Sequence, residues 1–275
     1  MPTQAEKAVA FQALHQRIEP FVIANPWDAG TAKILTGLGF LALSTTSAGL
    51  AFALGRRDGT ASVSREEALA NAKSIVEATH LPVAADLENG YGHAPEAAAE
   101  TIRLAAAVGL VGGSIEDASG DPAKPIYDFE HAVKRIVAAV AAARALPFPF
   151  MLVARAENYL HGRPDLDDTI KRLQAFEAAG ADVLYAPGIS SAEDIRTICA
   201  SVKKPVNVLM GIKGVAPLSI AELGALGVRR VSIGSGFSRA ALTAFVHAAR
   251  EVRDDGTFTF TEETFYMSEL ADLFK

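Results

Sequence analysis

PVAADLENGYGHAPEAAAETIRLAAAVGLVGGSIED (residues 82–117) carries the repeating unit of the fold. Two short apolar runs, PVAAD (82–86) and GGSIED (112–117), flank a longer periodic segment at 95–108. Runs of that length without polar alternation suit strands buried on both faces of a parallel sheet, and a helix between them supplies the crossover. The unit recurs in both directions. FVIAN (21–25) and FLALS (40–44) precede it, and MLVAR (151–155), DVLYA (182–186), PVNVL (205–209) and RVSIG (230–234) follow. Helical segments are expected at 64–79, 128–145, 166–179, 192–202 and 238–253. Ser64 with Glu67 makes a capping box, and Gly180 stands where a C-cap belongs. Eight strands alternating with helices over about 250 residues predict a closed (β/α)8 TIM barrel. A doubly wound open sheet is the alternative, but no G-x-G-x-x-G opens the first βα turn.

Composition narrows the function. Half of the 275 residues are hydrophobic and 21% are charged, which excludes a disordered chain. Twenty-six basic residues against 32 acidic ones, with no basic cluster, argue against a nucleic-acid partner. The single Cys199 excludes internal disulfides and a cysteine-based zinc site. The start, MPTQAEKAVAFQ, lacks the pattern of a secretory signal, and the longest aliphatic run, 136–143, falls short of the ~20 residues a membrane span takes. The expectation is a cytoplasmic protein with no membrane partner. No linker divides the chain, so one barrel domain over 1–275 is expected, with extra helices at 6–17 and 261–274.

In such a barrel the residues that close the strands face the C-terminal mouth, where (β/α)8 enzymes build their sites. They are Asn25, Ser44, Asp86, Glu116, Arg155 and Asn207. Asp86 and Glu88 stand two apart, so if strand geometry continues to Glu88 both side chains fall on one side. Glu116 and Asp117 close the next strand, and Arg155 the one after. Carboxylates gathered from adjacent strand ends repel one another unless a positive charge sits among them. A hard divalent cation, Mg2+ with Mn2+ as the alternative, meets that need with few protein ligands and several retained waters. This reading gives Asp86, Glu88 and Glu116 to the metal, and Arg155 to bidentate capture of a substrate carboxylate. The competing reading makes the same acids solvated or ion-paired strand ends.

Two intervals are long: GLAFALGRRDG (49–59) after the second strand and ASGDPAKPIYDFE (118–130) after the fourth. Asp58, beside Arg56 and Arg57, reads on its own as a solvated loop charge. STTSAG (44–49) offers hydroxyls and backbone N–H groups to a carboxylate or phosphate. Trp27 follows the first strand and either walls the pocket or packs. The six histidines show no ligand spacing and receive no role. Neither a nucleophile elbow nor a P-loop is present.

Together NPWDAG (25–30), TTSAGLAFALGRRDG (45–59), AADLENGYG (84–92), SIEDASGD (114–121), LVARAENY (152–159) and GADVLYAPG (180–188) resemble the isocitrate lyase/phosphoenolpyruvate mutase superfamily over about residues 22–236. The resemblance implies a (β/α)8 barrel that assembles as a homodimer or homotetramer, with a C-terminal helix swapped between subunits. It implies Mg2+ chemistry on small 2-oxo or 2-hydroxy carboxylates through an enolate-like state. Residue by residue, Asp86 matches the direct metal ligand, and Glu88 and Glu116 match acids that hold the metal through water. Asp58 matches a loop aspartate near the reacting group, and Arg155 an arginine that contacts substrate. Thr46, Ser47 and Ala48 match a segment whose N–H groups bind the carboxylate, while Asn207, a substrate-binding candidate, lies near but not in register with an asparagine of the lyases. On this basis Asp58, Arg155 and Glu116 are the catalytic candidates.

The departures set the subclass. Isocitrate-type lyases carry a K-x-C-G-H loop after strand 4 whose cysteine is a catalytic acid, and residues 118–130 contain neither Cys nor His. The K-x-N-S-type loop of the P–C bond enzymes is also missing, with only Lys124 as a substitute, and Pro187 stands where relatives place Glu or His. The expected activity is a Mg2+-dependent carbon–carbon lyase or decarboxylase on a substrate such as oxaloacetate. The alternatives are a phosphonopyruvate-type P–C bond enzyme and a non-catalytic 2-oxo-acid binder.

Overall fold

The structure, a computed structural model, describes residues 1–59, 62–212 and 217–274. The order is α1 (Gln4–His15), β1 (Phe21–Ile23), α2 (Ala29–Gly37), β2 (Leu43–Ser44), α3 (Ser47–Ala53), α4 (Arg65–Ala78), β3 (Val83–Asp86), α5 (Pro95–Ala107), β4 (Gly112–Glu116) and α6 (Phe129–Arg144). It continues with β5 (Met151–Arg155), α7 (Leu166–Ala178), β6 (Val183–Tyr185), α8 (Ala192–Ser201), β7 (Val206–Leu209), α9 (Ile220–Ala225), β8 (Arg230–Ser232), α10 (Gly236–Arg250) and α11 (Met267–Asp272). All eight strands pair in parallel in the order β1-β8-β7-β6-β5-β4-β3-β2, and a bridge between Ala24 and Leu43 joins the two ends. The sheet is a closed (β/α)8 barrel.

The apolar runs sort by period two into two cores. On β5, Leu152 and Ala154 face outward to the helices, while Met151 and Val153 face the barrel interior with Phe21, Ile23, Ala84, Val183 and Tyr185. Both faces of each strand are therefore buried, which is why the runs do not alternate with polar residues. α1 plugs the N-terminal end. Its Phe11 is fully buried against Phe21, and burial of such a side chain contributes roughly 2–3 kcal/mol. Lys7 Nζ donates to Thr79 O at 2.8 Å, and Gln4 Nε2 donates to Ala106 O and Leu110 O, tying the plug to loops that precede strands. Gly112 makes room for the plug, since a Cβ there would stand 2.9 Å from the Phe11 ring and 2.8 Å from Met151 O.

Three expectations change. The interval after β2 is not all loop: α3 begins at Ser47, with Thr46 Oγ1 accepting from Gly49 N as its N-cap. The segment 261–274 forms a 3-10 turn at Thr259–Glu263 and the short α11. The helix expected at 238–253 forms as α10, over Gly236–Arg250, but buries only Ser238 and leaves Leu242, Phe245 and Val246 exposed. Sequence periodicity reports that one helix face is apolar, and does not say which body covers it. Among the described residues no helix is long and apolar enough to cross a membrane.

Candidate active site

The site grows out of three adjacent strand ends. Arg155 closes β5 and engages three carboxylates: Nη1 donates to Asp86 Oδ1 at 2.9 Å, Nη2 lies 3.2 Å from Glu116 Oε2, and Nε donates to Glu157 Oε1 at 2.7 Å. Its guanidinium also stands over the Tyr185 ring, 5.3 Å from the centroid. Asp86 Oδ2 accepts from Ser47 Oγ at 2.8 Å, which joins the start of α3 to the cluster. Thr45, Thr46, Ser47, Asp86, Glu88 and Tyr91 line one pocket at this mouth.

The loop after β3 folds by two side-chain turns. Asp86 Oδ1 accepts from Glu88 N, and Asn89 Oδ1 accepts from Tyr91 N at 3.0 Å, the pattern by which Asp and Asn reverse a chain. Strand geometry ends at Asp86 and does not reach Glu88. Glu88 and Tyr91 take left-handed φ values of 47° and 56°, strain of order 1 kcal/mol or more at each residue. Glu88 still lines the same pocket as Asp86, so the turn achieves what an extended strand was expected to do. Gly90, at φ 80°, lies so close to α5 that a Cβ would stand 2.9 Å from Ala98 Cα. Arg135, fully buried on α6, donates to Gly92 O, His93 O and Asn89 O and pins the loop from below.

The electrostatics are dominated by acid in excess. Burial, then the charges of Asp86 and Asp58, pushes Glu88 up to about 7. Burial holds Glu116 well above the carboxylate range despite the opposing pull of Arg155, and raises Glu157 as well. Asp58 is exposed at its outer surface, yet crowding by protein atoms and the charge of Asp86 raise its pKa too. Among the described residues three of these carboxylates pair with Arg155 and the other two feel its charge, and Glu157, Asp86 and Glu116 raise the pKa of Arg155 against its burial. Among the described residues no three His, Cys, Asp or Glu side chains form a ready direct-coordination set. One direct carboxylate with others acting through water suits that arrangement, and Mg2+ is the cation that keeps its waters. The donor set fits a hard divalent cation, with Asp86, Glu88 and Glu116 as the residues able to hold it.

Asp58, Asp86, Glu88, Glu116, Arg155 and Ser47 therefore come together, with Thr46 beside Ser47 on the pocket wall and Ala48 in the first turn of α3. Asn207 stands apart, while Trp27 lies against Asn71 of the pocket wall rather than on the wall itself. Trp27 packs against Gly49, where a Cβ would lie 3.0 Å from Trp27 Cβ, and its carbonyl accepts from Asn71 Nδ2. Asn207 is 2% exposed inside the barrel and donates through Nδ2 to Ser232 Oγ at 2.9 Å. Lys124 is exposed in a loop that closes on itself, with Ser119 N donating to Pro125 O.

Sequence reasoning missed a supporting layer. Glu157 is 2% exposed, and its N–H donates to Asp117 Oδ1 at 2.8 Å. Asp117, pushed up to about 6 by burial, pairs with Arg172 Nη1 at 2.9 Å. Arg172 also donates to Tyr127 O at 3.0 Å and from Nε to Asp168 Oδ2, so one side chain ties the loop after β4 to α7. The available signal was an arginine on the apolar face of each helix, Arg135 in α6 and Arg172 in α7.

Residues 11–253 match the family described as phosphoenolpyruvate phosphomutase. The chain is similar to 2-methylisocitrate lyase of Shewanella oneidensis, with 30% identity over 264 residues, 94% of this chain and 88% of that one. It is similar to oxaloacetate decarboxylase of Ectopseudomonas mendocina, with 30% identity over 250 residues, 89% and 83% of the two chains. A crystal structure from Burkholderia cenocepacia J2315, described only provisionally as a lyase/mutase, superposes with a TM-score of 0.96 at 57% identity, covering 98% of this chain and 96% of that one.

Proposed function

The chain belongs to the isocitrate lyase/phosphoenolpyruvate mutase superfamily, and from that premise we propose that it is a divalent-metal-dependent carbon–carbon lyase, acting as a decarboxylase on a small 2-oxo diacid of the oxaloacetate type. The observation that carries the reading is the charge balance at the mouth, five carboxylates around Arg155 among the described residues. Such a cluster relieves its excess charge by holding protons, as the raised Glu88 and Glu116 carboxyls do, or by taking up a cation, which also supplies Lewis-acid stabilisation of an enolate oxygen. Asp86, Glu88 and Glu116 would hold that cation. Arg155 is the fixed cationic donor; its Nη groups, now on Asp86 and Glu116, are those that would turn to a substrate carboxylate. Ser47 and Ala48 would offer backbone N–H groups to the same carboxylate. Asp58, held near the cluster with a raised pKa, is the group that would carry a proton at the open side.

Decarboxylation is favoured over isocitrate-type cleavage by the loop after β4. Residues 118–128 contain no Cys or His, and Cys199 lies on α8, against Gly227, on the outside of the barrel. An enolate released by decarboxylation takes its proton from water and needs no thiol. The exposed position of Lys124 gives no support to the P–C bond alternative.

The test is a screen of oxaloacetate, 2-oxoglutarate, dimethylmalate, methylisocitrate and phosphonopyruvate with Mg2+, following pyruvate, succinate and phosphate. Pyruvate from oxaloacetate, lost in Asp86→Ala, is expected. Mg2+-dependent ligand binding without turnover of any compound would make the chain a binder, and robust methylisocitrate cleavage would overturn the argument from the missing thiol.

The same reading extends to assembly. Besides the apolar residues of α10, the tail exposes Phe258, Phe265, Tyr266 and Met267, large side chains of the kind a partner surface covers. We propose that a second copy of the chain covers it.

A further inference from the structure

Arg230 opens β8 on the inside of the barrel, in register with Asn207 of β7 and Phe21 of β1. It is 5% exposed, and its Nε and Nη1 are buried without a hydrogen-bond partner. Among the described residues its guanidinium makes no ion pair, and it faces the Phe11 ring, 6.0 Å from the centroid. Every carboxylate of the mouth is committed to the other end of the barrel. The titratable groups nearest Arg230 supply no counter-charge: Tyr185 is a phenol whose pKa burial raises, and burial with the charge of Arg230 pushes His15 down to about 3, so it is neutral. Burial brings Arg230 itself down to about 10, which leaves it protonated at neutral pH.

A lone buried cation carries a penalty of several kcal/mol unless a charge or polar group answers it. Water alone satisfies hydrogen bonds and adds no charge. His15 Nε2 and Asn207 Oδ1, both buried, also lack partners, and each is an acceptor. A hydrated anion answers both needs: it accepts from Nε–H and Nη1–H of Arg230, and a water beside it donates to the two acceptors. Beside it stand Phe11, Phe21 and His15, three rings packed edge to face, and with His15 Nδ1 already bonded to Phe11 O they offer no further donor that a larger, multidentate acid would need. We infer that the base of the barrel, under α1, holds one small monovalent inorganic anion, of the chloride or bromide class, against Arg230.

The experiment pairs crystallography with unfolding. Crystals grown in sodium bromide are expected to show an anomalous peak beside Nε and Nη1 of Arg230; water density there with no anomalous signal overturns the inference. At constant ionic strength, replacing gluconate by bromide is expected to raise the apparent folding constant, about 100-fold once bromide reaches 100 times its dissociation constant. Arg230→Met, which fills the same volume without charge, is expected to fold and to lose that dependence. An unchanged bromide response in Arg230→Met overturns the inference, and if that variant fails to fold the bromide crystal of the unaltered chain decides alone. None of these readouts involves the mouth, so their outcome is separate from that of the lyase reading.

Discussion

Glu88 gives the sharpest test of the charge balance at the mouth. Its pKa is pushed from 4.5 up to about 7, chiefly by burial and then by Asp86 and Asp58. At 1.36 kcal/mol per pH unit that displacement corresponds to about 3 kcal/mol, and the water the side chain retains brings the expectation to about 2–3 kcal/mol. The sign follows from proton binding. The folded chain holds the Glu88 proton more tightly than the unfolded chain, so the contribution is fully present below pH 4.5 and is lost as pH rises through about 7. Glu88→Gln stays neutral throughout and should escape this loss. In metal-free buffer with EDTA, urea unfolding should give similar stability for the two proteins at pH 4.5. At pH 8 the variant should be more stable by about 2–3 kcal/mol, or about 4–6 °C in Tm for a chain of this length. Added Mg2+ should restore much of the difference to the unaltered protein and little to Glu88→Gln. If the gap between the two stability curves is the same at pH 4.5 and pH 8, Glu88 is not an acid strained by its neighbours and the argument for a cation there fails.

Gly112→Ala should cost about 1–3 kcal/mol in urea unfolding, because the new methyl meets Met151 O and the Phe11 ring; a loss below half that would mean α1 is not seated in the barrel base. Arg172→Met strands the buried Asp117 and the Tyr127 carbonyl and should destabilise by about 3–5 kcal/mol. Arg172→Lys should recover little of this, since one ammonium cannot reproduce the guanidinium's bonds to Asp117, Asp168 and Tyr127, and full recovery would reduce Arg172 to a simple charge. Phe245→Glu on α10 should shift the chain toward a monomer in light scattering without changing its far-UV circular dichroism; an unchanged mass would place the assembly surface elsewhere.

The barrel and most of its mouth were legible in the linear chain because both rest on local regularities. A strand buried on two faces must be apolar throughout, and its first polar residue marks where it leaves the sheet, which is how Asp86, Glu116 and Arg155 could be named from their positions alone. The repeat of strand and helix then fixed their order around the mouth. The family resemblance brought in Asp58 and Ser47, whose place beside Asp86 no local rule supplies.

Other features depend on contacts between residues far apart in sequence, and only the tertiary structure decided them. Glu157 reads as one more charged loop residue until its bonds to Arg155 and Asp117 are seen, and Arg172 until it reaches across from α7 to the loop after β4. The left-handed turn at Glu88 replaced the extended geometry expected there, because the Asp86 carboxylate captures the Glu88 N–H. Asn207 reads as a mouth residue by its place near a strand end, but strands that tilt in a barrel lower the register from one to the next, and Asn207 lies inside beside Ser232. The chain by itself determined the repeat, its closure and the acids at the rim, since period and polarity are properties of neighbours in sequence. Which acid answers which cation, and that Arg230 has none among the described residues, are properties of neighbours in space.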